Sequence, residues 1–151
     1  MLDKKETTGD ARTAIVLGTC VLLGNYCFVA FVYVTSQLEE NAYAMKYWFK
    51  SLVRYPLSST LGFAFVFVPS LILVAICAPR LLSRLKSQYT RIAAIAACTL
   101  ATNVIVATAL QLSLYQRLSW NVQNLVLLII LLCAGAGVAM ALAHRRHKSS
   151  G

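Results

Sequence analysis

Residues capable of chemistry are few in this chain and poorly placed for it. The five cysteines, Cys20, Cys27, Cys77, Cys98 and Cys133, form no CxxC pair, so thiol exchange with a soluble partner lacks its usual dithiol. The only imidazoles, His144 and His147, stand three residues apart beside Arg145 and Arg146. That spacing can hold a metal, yet a solvated basic tail accounts for it, and haem ligation within an apolar helix has no histidine to draw on. The acids Asp3, Glu6, Asp10, Glu39 and Glu40 build no carboxylate pair, and no GxSxG, HExxH or Walker sequence occurs. These features point away from an enzyme, and no cofactor or metal is implied.

Three uncharged polar residues carry more interest. Asn25, Ser70 and Asn103 each fall near the middle of a long apolar run, and Pro69 precedes Ser70. An amide in hydrocarbon needs a partner. Asn25 and Asn103 are therefore expected to point inward and to bond to each other, to Ser70, or to a carbonyl freed by Pro69. Such a layer at the bilayer midplane acts either as interhelical glue or as a small polar binding site.

The elements that must position these residues follow from composition. Of 151 residues 59% are apolar and 13% charged, against about 45–50% and about 25% in ordinary soluble domains. Asp, Glu, Lys and Arg are missing from Thr13 to Leu38, Pro56 to Pro79, Ile92 to Gln116 and Leu118 to His144. Crossing a hydrocarbon core of about 30 Å takes roughly 20 apolar residues, so spans are expected near Ala14–Thr35, Leu57–Ala78, Ile92–Tyr115 and Val122–Ala143. The first is longer than a signal-peptide core and follows three acids, which favours a retained helix. The predicted fold is an all-α integral membrane protein with four transmembrane helices in one antiparallel bundle.

Lys and Arg in short loops orient such a chain. Ten fall in the N-terminus, the second loop and the C-terminus, and four (Lys46, Lys50, Arg54, Arg117) in the first and third loops. Both termini are therefore expected in the cytoplasm, with the chain in a bacterial inner membrane or an equivalent energy-transducing membrane. The net charge of +9 is spread over span ends rather than gathered in one patch, as topology alone produces, so nucleic acid is not an expected partner. The second loop, with Arg80, Arg84, Lys86 and Arg91, is expected against anionic headgroups.

Residues 38–55 of the first loop place Leu38, Met45, Trp48, Phe49 and Leu52 on one helical face and Glu39, Glu40, Lys46, Lys50 and Arg54 on the other. This pattern, ended by Pro56, predicts a short amphipathic helix, lying at the interface or capping the bundle. The third loop, around residues 116–121, is too short to fold alone and makes a hairpin of the last two spans.

Small residues recur every fourth position, as Ala93, Ala97 and Ala101 and as Cys133, Gly137 and Ala141. Where lipid supplies no hydrophobic drive, such faces let helices approach closely, within one chain or toward a partner. With no coupling charge expected inside the spans, the leading expectation is a non-catalytic protein acting through helix contacts. It would be an accessory or assembly subunit of a larger membrane complex, or an inhibitor of the immunity type. The alternative is a small homo-oligomeric transporter or channel for a neutral solute.

Overall fold

A computed structural model describes residues 4–40, 45–115 and 121–149, with side chains at 8–36, 51, 53–113 and 121–145. Among them there are four helices and no strand: α1 (Lys4–Glu40), α2 (Met45–Leu81), α3 (Gln88–Tyr115) and α4 (Val122–Ser149). Each contains a stretch long and apolar enough to cross a membrane: Thr8–Ser36, Val53–Leu81, Gln88–Ser113 and Val122–Arg145. This is the pattern of a multi-pass membrane protein.

Each helix buries one stripe at helical spacing. On α1 the stripe is Asp10, Ala14, Leu17, Val21 and Asn25; on α3 it is Arg91, Ile95, Thr99 and Asn103. Phe67, Leu71, Val74 and Ala78 of α2 and Leu128, Leu132, Ala136, Ala139 and Ala143 of α4 complete the core. The outward faces are also apolar: Phe65 is 78% exposed and Ile76 70%. In water such a surface would be a large sticky patch, whereas in lipid it needs no cover.

Hydroxyls along the helices are satisfied locally, as a membrane demands. Thr19 donates to the Ile15 carbonyl at 2.9 Å, Thr99 to Ile95 at 2.7 Å and Thr108 to Val104 at 2.7 Å.

Side-chain pairs fix how the helices lie together. On α1 and α2, Asn25 meets Thr60 and Tyr33 stacks on Tyr55, with ring centres 5.5 Å apart. Gly18 of α1 lies against Leu71 of α2, Gly24 against Leu131 of α4, and Gly135 of α4 against Leu17 and Cys20 of α1. At one end, Asp10 and Arg91 join α1 to α3, Arg91 reaches the carbonyl of Leu82 just past α2, and Tyr89 of α3 contacts His144 of α4.

The structure differs from expectation at Pro56. The residue lies inside α2, which runs unbroken through Pro56, Pro69 and Pro79. An internal proline removes one backbone bond and costs a helix about 3 kcal/mol. Here the Pro56 ring is fully buried, so tertiary packing outweighs the local penalty. Residues 45–55 are thus the first turns of α2 rather than a separate element. At 37 residues α2 is about 55 Å long, against a bilayer of about 40–45 Å with its headgroups.

Candidate functional site

Asn25, Ser70 and Asn103 are all buried, but they do not form one hydrogen-bonded layer. Asn25 Nδ2 donates to Thr60 Oγ1 at 3.3 Å, a partner that sequence reasoning overlooked. Ser70 Oγ donates to the carbonyl of Val66 at 3.0 Å within its own helix. Thr60 and Ser70 are ten residues apart on α2, about 15 Å of helix, so Asn25 and Ser70 sit at different depths. The expected layer aligned the spans by their centres, whereas packing sets the registers.

Asn103 leads elsewhere. It lines a cavity of about 200 Å³ between α2, α3 and α4, together with three more carboxamides, Gln111, Asn121 and Asn124. Asn103 is only 6% exposed, and its Nδ2 meets no hydrogen-bond acceptor among the described residues. Asn121 and Asn124 are exposed at the other extreme, where Asn121 Oδ1 accepts from the Gln123 backbone N–H at 3.0 Å and caps α4.

The basic loop is corrected at one position. Arg80, Arg84 and Lys86 are exposed, but Arg91 lies inside α3 and is buried. Its Nη2 donates to Asp10 Oδ2 at 2.6 Å and its Nε to Asp10 Oδ1 at 3.3 Å, a two-point contact between a guanidinium and a carboxylate. Nη1 lies 3.4 Å from the carbonyl of Leu82, a long contact to the end of α2. Asp10 and Arg91 lie near the first turns of the apolar stretches Thr8–Ser36 and Gln88–Ser113, and what sets them apart from the other charged residues at stretch ends is that both are buried. A charge flanking an apolar run looks like a boundary; only a partner 81 residues away turns this one inward. Arg54 is exposed, while the side chains of Lys46, Trp48, Phe49 and Lys50 lie outside the described residues.

The small-residue faces define a third feature. Ala93, Ala97, Cys133 and Gly137 are exposed and line an apolar groove of about 460 Å³ between α3 and α4, floored by Leu132 and Ala136. A Cβ built on Gly137 meets no atom within 4 Å. The close approaches within the chain are made instead at Gly18, Gly24 and Gly135; Gly135, Ala139 and Ala143 are a second four-residue run of small residues on α4, which sequence reasoning did not single out.

The five cysteines are free thiols, with Cys27 and Cys133 exposed. No protein family, curated protein or solved structure matches this chain.

Proposed function

We propose that the chain is a non-catalytic membrane subunit whose α3–α4 groove receives a transmembrane helix of another protein. The observation that carries this reading is the groove itself: its small residues Ala93, Ala97, Cys133 and Gly137 are exposed, and a Cβ on Gly137 would meet no atom within 4 Å. Close helix contact in lipid relies on such residues, because apolar burial gains nothing over acyl chains. An obligate assembly subunit and an immunity-type inhibitor use the surface in the same way.

The pairings of Asn25 with Thr60, Gly24 with Leu131 and Tyr89 with His144 support an antiparallel bundle. The end marked by Asp10 and Arg91 is then cytoplasmic, by the excess of Lys and Arg there. Arg80, Arg84 and Lys86 rest on anionic headgroups. The first turns of α2 stand in the opposite headgroup layer, in a bacterial inner membrane or its energy-transducing equivalent. A second reading, a small homo-oligomeric carrier of a neutral solute, is favoured by the carboxamide cavity alone.

A photo-crosslinking amino acid at Ala97, compared with one at Phe65 on the lipid-exposed face of α2, tests the proposal in native membranes. Stoichiometric crosslinks to one foreign membrane subunit from position 97, and none from 65, are expected. Crosslinks only to lipid from both positions would overturn the reading.

A further inference from the structure

We infer that the carboxamide cavity between α2, α3 and α4 is a binding site for a small uncharged molecule, about one ring in size, that presents a carbonyl oxygen to Asn103. Two independent observations carry this. The cavity gathers four carboxamides, from α3, α4 and the residue that caps α4, and its most buried member has an amide nitrogen without an acceptor among the described residues. A buried donor left unmade costs more than a made bond gains. A ligand oxygen is the group this position asks for.

The walls narrow the class. No Asp, Glu, Lys, Arg or His is among the described residues lining the cavity, so none of these residues offers an anion or a cation a compensating charge, and hard cations are held mainly by carboxylates. Phe63, Val66 and Leu125 give apolar contact for the body of the ligand. At about 200 Å³ the space lies below the roughly 300–1,000 Å³ of sites for drug-sized molecules, which limits the occupant to about one ring. Asn103 and Gln111 are eight residues apart on α3, so the cavity runs about 12 Å along the helix, from the exposed Asn121 and Asn124 to the buried Asn103. Asn121 uses its oxygen to cap α4. The site lies within one chain and does not depend on the partner proposed for the α3–α4 groove.

The test uses duroquinone, a fully substituted ring with two carbonyl oxygens that does not alkylate cysteines. Its carbonyl-free counterpart durene is the control. Binding to the purified full chain in detergent is followed by saturation-transfer NMR of the ring methyls. Saturable binding of duroquinone, tighter than that of durene, is expected. Asn103→Leu should weaken duroquinone about tenfold, the value of one good hydrogen bond, and leave durene unchanged. Ala107→Phe, which fills the cavity while all four carboxamides are kept, should abolish both and serves if the first variant fails to fold. A decyl-tailed analogue that binds tighter than duroquinone assigns the ligand to the lipid phase, and one that binds more weakly assigns it to water; either order requires the site. Equal binding of duroquinone and durene, insensitivity to Asn103→Leu, or no saturable binding of either probe, as for a cavity holding water alone, overturns the inference.

Discussion

Gly135 and Gly137 are two residues apart on α4 and have opposite surroundings. Two residues rotate a helix by about 200°, so one faces α1 and the other faces away. A Cβ on Gly135 would lie 3.1 Å from Leu17 Cδ2, 3.3 Å from Cys20 Cβ and 3.4 Å from Leu17 Cα, whereas one on Gly137 would meet nothing. The α1–α4 seam is closed by glycines against leucines; the α3–α4 seam carries an apolar groove in which Ala93, Ala97, Cys133 and Gly137 are exposed. The lesson is that small residues alone do not make a contact. They make one possible, and the neighbouring helix has to be present.

The largest expected effect lies off both seams, at the ion pair that joins α1 to α3. Asp10→Ala leaves a buried arginine without its carboxylate, and removing one partner of such a pair costs about 3–5 kcal/mol. The variant should lose most of its thermal stability in detergent by circular dichroism. Asp10→Leu with Arg91→Met should recover most of that loss, since apolar replacement of a whole pair is often neutral. If the double variant is as unstable as the single, the pair does more than neutralise charge.

Next in size is Gly135→Val, which overpacks the closed seam against the backbone of Leu17 and should cost about 1–3 kcal/mol. The matching change on the open side, Gly137→Val, should leave the melting temperature of the isolated chain within error. The same Gly137→Val protein, returned to its native membrane, should lose the crosslink from position 97. A destabilised but fully crosslinked Gly137→Val chain would reverse the assignment of the two seams. The smallest effect belongs to Thr60→Val, which removes the partner of Asn25 at 3.3 Å. Interhelical hydrogen bonds in membranes average about 0.6 kcal/mol, so a small drop in melting temperature, with no change in crosslinking, is expected.

Much of the architecture could be read from the residues themselves. Charge-free windows locate four helices because no charge is easily tolerated mid-bilayer, and all four recur as apolar stretches of α1 to α4. Their limits could not be read in the same way. Asp10 and Arg91 each flank an apolar run, and a flanking charge marks a boundary unless a distant partner is known. Pro56 was misleading for a related reason, since its local cost is set against burial that depends on neighbouring helices. For the candidate site, Asn103 could be singled out as a buried amide in need of a partner. Its true company, Gln111, Asn121 and Asn124, depends on how α3 and α4 are registered, and periodicity along one helix is silent about that. The small-residue faces were legible as faces, but not in direction.

The ion pair also sets an order of events during synthesis. Asp10 and Arg91 are separated by 81 residues, which a ribosome adds in roughly 4–16 s at about 5–20 residues per second. Throughout that interval the Asp10 carboxylate has no Arg91 guanidinium to meet, and a charge taken into hydrocarbon without its partner is costly. Asp10 stands at the third residue of its apolar stretch, an edge position where headgroups and water can solvate the carboxylate until Arg91 is made. The contact that closes this end of the bundle therefore forms only after α2 and a long stretch of chain have already been made.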